Sequence, residues 1–376
     1  MNRILFASAL FFLTVFNTIQ GRNVPEISLL TCSQGEELYA SFGHSGLRVK
    51  YPDGDDNVYN FGMFDFDTPN FYTKFIMGKL QYMVDIEDID EFIGNYEYEN
   101  RSVFEQKLKL TEEQTFAIIN RLNYLHRPEN RYYYYRFLYK NCTTELRDII
   151  FAYAGIDTSF FDDKAGITHR ELLNQYIDGW GKFGINLIMG TSTDREVTVF
   201  QKMFLPDYLY NELEKIDNQS NIISERMTLT LAEERGEDSF FSKISSPNVV
   251  VLMLLIIFLL LLYLKKEFYF RQFIYTVVGF AGLIITLLML FSAHTELHSN
   301  INALWCNPLY LLLALAIAFK WKKIAKTTSI ILLSLLLLSV ILWICKVQYV
   351  EMSFIWLSGL LFTSLFFKRI YPYRTK

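Results

Sequence analysis

The stretch 247–266, PNVVVLMLLIIFLLLLYLKK, divides this chain in two. From Val249 to Leu264 it carries no charge, and it stops at the pair Lys265-Lys266. A run that long, apolar on every face, is neither a core strand nor an amphipathic surface helix, and it reads as a membrane span. Four more runs follow, Phe273 to Phe291, Leu304 to Phe319, Ser329 to Cys345 and Met352 to Phe367, each near the length that crosses hydrocarbon. Upstream of the quoted stretch the residues are charged and aromatic-rich, as in a globular domain. A chain of 376 residues exceeds the usual single-domain size, so two units are expected: a domain outside the bilayer and a helical bundle within it.

Basic residues orient the bundle. Lys265, Lys266 and Arg271 follow the first run, Lys320, Lys322, Lys323 and Lys326 follow the third, and Lys368, Arg369, Arg374 and Lys376 follow the fifth. The connection from Ser292 to Asn302 has no Lys or Arg, and that from Lys346 to Glu351 has only Lys346. The positive-inside rule therefore predicts a cytoplasmic C-terminus and an exported N-terminal domain. The N-terminus agrees: Arg3, an apolar run from Ile4 to Phe16, then small and polar residues to Gly21 have the layout of a secretory signal. Cleavage near Gly21 and retention as an uncleaved anchor are both open. The expected organisation is a signal over 1–21, an exported domain over 22–216, a linker over 217–247, the transmembrane domain over 248–368 and a cytoplasmic tail over 369–376. A net charge of −4, with no basic cluster interleaved with stacking aromatics, excludes a nucleic-acid partner.

Within the exported domain, Leu47, Val49 and Tyr51 alternate before a Pro52-Asp53-Gly54 turn, and Val58 to Phe66 resumes a strand pattern, which predicts a hairpin. Thr111 and Gln114 form a capping box for a helix whose face is Phe116, Ile119, Leu122 and Leu125, ending near His126. Tyr132 to Tyr135 and Phe137 to Tyr139 read as extended. A second helix is predicted from Cys142 through Leu146, Ile149, Ile150 and Tyr153 to Gly155. Gly179, Gly181, Gly184 and Gly190 suggest loops.

The chemistry centres on Cys142. At the start of an amphipathic helix its sulfur faces unpaired N–H groups and the positive end of the macrodipole, which favour the thiolate. The other cysteines are Cys32, Cys306 and Cys345; a Cys32–Cys142 bridge or a buried free thiol is the structural alternative. A thiol nucleophile needs a base, and the exported domain offers His44, His126 and His169. His126 ends a helix beside a proline and His169 opens one on a polar stretch, so both are expected to be solvated surface residues. His44, in Ser41-Phe42-Gly43-His44-Ser45-Gly46, is the candidate base, its flanking glycines allowing close approach. Asn60 on the neighbouring strand is the candidate that orients the imidazole, with Asp65 as the alternative. No cofactor and no metal is expected. A polar cluster in the second connection, His294, Glu296, His298 and Asn300, suggests a headgroup or acceptor contact through His294, His298 and Asn300, against the simpler reading of a polar loop with an interfacial Trp305.

The order His44 then Asn141-Cys142 resembles the circularly permuted papain-like enzymes of the NlpC/P60 and lecithin:retinol acyltransferase type. Leu29 to Ser33, Tyr39 to Val49, Tyr59-Asn60-Phe61-Gly62 with Phe64-Asp65-Phe66, Asn141-Cys142, and Phe204-Leu205-Pro206-Asp207-Tyr208 together resemble the Lnb N-terminal periplasmic-domain family. The resemblance covers most of residues 28 to 210 plus the appended bundle. It implies an α+β permuted papain-like (NlpC/P60-like) domain followed by an all-α five-helix transmembrane bundle in a bacterial inner membrane. It also implies that Cys142 takes an acyl chain from a phospholipid and that the α-amine of a diacylated lipoprotein receives it. A membrane-fused thiol site fits a lipid donor, because extracting an acyl chain into water costs free energy for every methylene. A wall-directed cysteine peptidase or amidase, or a lipid hydrolase, is the alternative, though a peptidase needs at most one anchor. A transporter or sensor is a third class, disfavoured by apolar runs that contain no charged residue.

Overall fold

The computed structural model describes residues 24–37, 39–233 and 244–367. The expected signal at 1–21 and tail at 369–376 lie outside the described residues. The N-terminal part is an α+β domain on an antiparallel sheet, and the C-terminal part is helical.

The chain opens with β1 (Glu26–Cys32), β2 (His44–Lys50) and β3 (Asp56–Met63), followed by a short helix α1 (Phe71–Ile76) and β4 (Gln81–Asp88). Then come α2 (Ile89–Tyr98), β5 (Val103–Leu108), α3 (Glu112–His126), β6 (Tyr132–Tyr134) and α4 (Cys142–Ala154). Seven strands form one sheet in the order β6-β4-β3-β2-β1-β5-β9, where β9 is Ile223–Thr230. Side chains two apart along a strand share a face, and here both faces are used. Ile27, Leu29, Leu47, Val49, Tyr59 and Phe61 pack under α3 and α4 through Ile118, Leu122, Leu146 and Ile150. Leu30, Cys32 and Val58 point the other way and meet Ile89 and Phe92 of α2. This two-sided burial is why β1 reads as a continuous apolar run.

Further along lie the two-stranded ladder β7 (Lys164–Thr168) with β8 (Glu196–Thr198) and the helices α5 (His169–Leu173), α6 (Gly179–Ile188), α7 (Val199–Lys202) and α8 (Pro206–Ser220). The predicted hairpin and both predicted helices are present, α3 with its Thr111–Gln114 capping box and α4 stopping at Gly155 in the left-handed region. Four expectations need correction. β3 ends at Met63, where Gly62 adopts φ 86° and the register shifts, so Asp65 is not on the strand. Phe137 to Tyr139 is a turn closed by the Arg136–Lys140 bridge. Gly179, Gly181 and Gly184 sit in α6, because Phe183 and Leu187 gain burial against the membrane half. The linker expected from 217 begins later: Asp217 to Thr230 completes α8 and supplies β9, a mostly exposed edge strand that pairs with β5.

The C-terminal half holds α9 (Pro247–Tyr263), α10 (Phe268–Phe291), α11 (Asn302–Trp305), α12 (Leu309–Ala318), α13 (Lys322–Ile344) and α14 (Met352–Phe367). Of the described helices α10 and α13 are long and apolar enough to cross a membrane, and the other apolar segments are shorter. The expected third run is broken at Pro308, whose ring cannot continue the helical hydrogen bonds, and Asn307 accepts from the Leu309 N–H at the restart. Gly279 and Gly282 let this broken segment lie against α10; a Cβ at Gly282 would stand 2.5 Å from the Cys306 carbonyl oxygen.

Main-chain and amide hydrogen bonds fasten the two halves together. Gly190 N–H donates to Glu296 O (2.8 Å), Ala293 N–H to Met77 O (2.9 Å), and Asn300 Nδ2 and Asn302 Nδ2 to Leu187 O (2.8 and 3.1 Å). Asn186 Nδ2 reaches Glu351 Oε1 (2.6 Å). Each bond satisfies a polar group that the contact would otherwise strand away from water.

Candidate active site

Cys142 is the first residue of α4, and Asn141 before it is the cap. Asn141 Oδ1 accepts from Thr144 N–H (2.8 Å), while Thr144 Oγ1 accepts from Asn141 N–H (2.8 Å). The amide nitrogen of Asn141 is also used, donating to Phe137 O and Phe204 O at 2.9 Å each. A side chain with two donors and one acceptor is therefore needed at 141, and it fixes where the helix starts. Capping consumes the third N–H of the helix, and those of Cys142 and Thr143 have no helical acceptor. Thr143 Oγ1 bonds Ser45 Oγ (3.0 Å, both buried), tying the first turn of α4 to β2.

His44 opens β2. Gly43 before it has φ 76°, and a Cβ there would stand 2.6 Å from the Cys32 carbonyl oxygen, so only glycine can deliver His44 to this point. Gly46 serves differently. It is the direct partner of Asn60 across β2–β3, and its missing side chain leaves room for the Asn60 amide to lean toward His44. His44 Nε2 and Asn60 Oδ1 are 3.0 Å apart.

The orientation of that amide follows from its other end. Asn60 Nδ2 donates to Glu87 Oε2 (3.0 Å), and Glu87 Oε1 accepts from Asn95 Nδ2 (2.7 Å). A carboxylate can only accept, so Asn60 must turn its nitrogen to Glu87 and its oxygen to His44. An oxygen at 3.0 Å then requires the proton on Nε2, which leaves Nδ1 with a lone pair for the thiol. The thiol and the imidazole are near enough for each to be the other's leading electrostatic partner. Register arithmetic places Glu87 opposite Val58 on β4, diagonal to Asn60; sequence reading missed it because nothing in the pattern of β4 sets that register.

Electrostatics follow from this packing. Burial pushes the Cys142 thiol up, but the charge and hydrogen bond of His44, the Ser45 N–H and the Thr143 hydroxyl outweigh it and leave the thiol lowered to about 7. For His44 burial favours the neutral ring, yet the Cys142 thiolate and the Asn60 bond together raise its pKa. Each partner holds the other charged. Cys142 is partly exposed and free, and Cys32 is also free, fully buried and pushed up to about 12 chiefly by that burial. A Cys32–Cys142 bridge is absent.

Asp65 stays in the loop after β3, accepting from the Asp67 N–H (2.8 Å). His126 lies in the last turn of α3, its Nε2 3.9 Å from Asp85. His169 is not the solvated residue expected: it is 5 % exposed, wedged against Tyr139 and Phe204, and burial lowers its pKa to about 4. His294, His298 and Asn300 do not form one helical face. Residues 295–297 make a single 3-10 turn, His294 Nε2 lies 3.2 Å from Phe75 O, His298 Nε2 lies 3.0 Å from Ser292 O, and Asn300 is buried with its amide committed to Leu187 O. Two of these bonds, those of His294 and Asn300, join the halves of the protein. Among the described residues there is no group of three or more His, Cys, Asp or Glu side chains placed to hold a metal.

Residues 16–175 match the family described as the Lnb N-terminal periplasmic domain, and residues 238–376 match the Lnb transmembrane domain. No curated protein and no solved structure matches the chain.

Proposed function

The chain belongs to the Lnb family and is a membrane protein with a periplasmic domain; from that premise we propose that it is a thiol acyltransferase of the inner membrane, carrying an acyl group from a phospholipid to the N-terminal amine of a diacylated lipoprotein. The observation that carries this reading is the alignment Cys142–His44–Asn60–Glu87, with the sulfur at a helix N-terminus and the tautomer of His44 dictated from behind. In this reading the domain is a permuted papain-like unit, and the helical half crosses the bilayer five times with its C-terminus in the cytoplasm. No cofactor or metal takes part.

The reaction is a double displacement. His44 Nδ1 holds the proton taken from Cys142. The thiolate attacks the ester carbonyl of the donor, a C–S bond forms, and the N–H groups of Cys142 and Thr143 stabilise the oxyanion. The ester C–O bond then breaks, and His44 returns its proton to the departing lysophospholipid alkoxide. In the second half the acceptor amine attacks the thioester carbonyl and gives a proton to His44. The C–S bond breaks, an amide is left on the lipoprotein, and the Cys142–His44 pair is restored. A water acceptor would give hydrolysis instead, so excluding water from the thioester decides the product.

The test is to express Cys142→Ser and His44→Ala in a strain that depends on the protein and to read lipoprotein N-termini by mass spectrometry. Loss of the N-acylated form in both variants is expected. Its persistence in either one refutes the assignment.

A further inference from the structure

Helix α1 has no buried residue: Tyr72 is 74 % exposed, Phe75 48 % and Ile76 47 %, and Phe66 beside it is 61 % exposed. Aromatic surface concentrated this way is unfavourable against water and marks a contact with something apolar. Its position identifies the partner. The carbonyls that end α1 are held by the three residues that follow α10: Ser292 Oγ donates to Ile76 O (3.1 Å), Ala293 N–H to Met77 O (2.9 Å), and His294 Nε2 lies 3.2 Å from Phe75 O. Gly78, at φ 65°, lies close over the His294 ring, where a Cβ would stand 3.1 Å from Cδ2. α10 is long and apolar enough to cross a membrane and lies within the part that matches the Lnb transmembrane domain, which puts its end at the bilayer surface and α1 there with it, at the depth where tyrosine and phenylalanine rings collect.

From this surface a continuous line of rings leads to the nucleophile. Phe66 and Phe71 contact Phe64 (4.9 and 5.6 Å between centroids), Phe64 meets Tyr82 edge-on (5.2 Å), and Tyr82 stacks on Tyr135 (4.3 Å). Tyr135 and Cys142 then meet across Gly62, where an added Cβ would stand 3.5 Å from the tyrosine ring and 3.7 Å from Cys142 Cβ. Phe71, Phe64 and Tyr135 are partly exposed while Tyr82 is buried and packs against both Phe64 and Tyr135, so the exposed rings offer an acyl chain apolar surface and Tyr82 holds them in line.

We propose that the aromatic segment Phe64–Ile76 is seated in the outer-leaflet interface and conducts a phospholipid acyl chain along Phe71, Phe64 and Tyr135 to Cys142. This rests on the acyltransferase reading for its purpose and on the α1–α10 contact for its geometry. The two are separable by experiment. The full chain is reconstituted in vesicles of phosphatidylethanolamine and phosphatidylglycerol containing an alkyne-tagged phosphatidylethanolamine. Benzoylphenylalanine is placed at Tyr72, or at Asp53 in the β2–β3 turn, roughly 20 Å away at the far end of those strands. Irradiation should attach lipid at 72 and not at 53. In parallel, acyl loading of Cys142 is measured by mass spectrometry with vesicle phospholipid and with a water-soluble butyryl thioester. The double variant Phe66→Asp/Tyr72→Asp should lower the ratio of phospholipid to butyryl loading about tenfold or more, and Phe66→Leu/Tyr72→Phe should restore it. Equal crosslinking at both sites, or an unchanged ratio, overturns the proposal. If the unaltered protein loads from neither donor, the acyltransferase reading fails while the crosslink still decides the lipid contact.

Discussion

Removing the His44 imidazole is the sharpest probe of the site. The thiol of Cys142 sits near 7 because His44, the Ser45 N–H and Thr143 together outweigh burial. In His44→Ala the largest opposing influence, burial, persists and its main counterweight is gone, so the thiol should return to 9.0 or above. At pH 7 the thiolate fraction then falls from about one half to about 1 % or less, roughly fifty-fold. Alkylation slows by less, because a more basic thiolate is intrinsically about tenfold more nucleophilic over two pH units, leaving a net loss of about fivefold. The pH midpoint is therefore the decisive readout. The rate of iodoacetamide labelling at Cys142 is followed from pH 5 to pH 10 by peptide mass spectrometry, which separates it from the exposed Cys345. A midpoint near 7 in the unaltered protein and at or above 9 in His44→Ala is expected. A variant midpoint within about half a unit of 7 would refute the ion-pair account.

Glu87→Ala should leave KM nearly unchanged and lower kcat by about tenfold or more, since Asn60 is then free to turn its nitrogen toward His44 and favour the wrong tautomer; Glu87→Gln should retain most activity only if its amide oxygen faces Asn60. Asn141→Ala removes the α4 cap and strands the Phe137 and Phe204 carbonyls, a loss of about 2 kcal/mol or more, measurable by chemical denaturation. His169 binds its proton with a folded pKa of about 4 against 6.5 when unfolded, so below pH 6.5 the unfolded chain takes up the extra proton. Stability should fall as pH drops from about 6.5 to about 4, by up to about 3 kcal/mol, and His169→Phe should flatten that stretch of the stability–pH curve.

The contrast between α4 and the polar connection after α10 shows where local information ends. An apolar face of period 3.6 and a terminal glycine each act within one or two turns, so Leu146, Ile149, Ile150, Tyr153 and Gly155 were enough to place the helix with Cys142 at its start. The division at residue 247 was equally legible, because sustained hydrophobicity needs no partner to be read. His44 and Asn60 could be nominated from composition and neighbouring strands, and the fold brings them together. Glu87 could not be found, since its role depends on the β3–β4 register and on Gly46 opposite Asn60. His294, His298 and Asn300 form a polar string in sequence, and only the docking of α1 and α6 shows their hydrogen bonds ending on main-chain carbonyls, in the case of His294 and Asn300 across the two halves. β9 and the buried His169 were hidden for the same reason: an edge strand and a wedged ring owe their state to surfaces contributed by distant segments. Short-range hydrogen bonding and hydropathy are written in the order of residues, whereas burial, register and protonation belong to contacts that exist only after the chain has closed on itself.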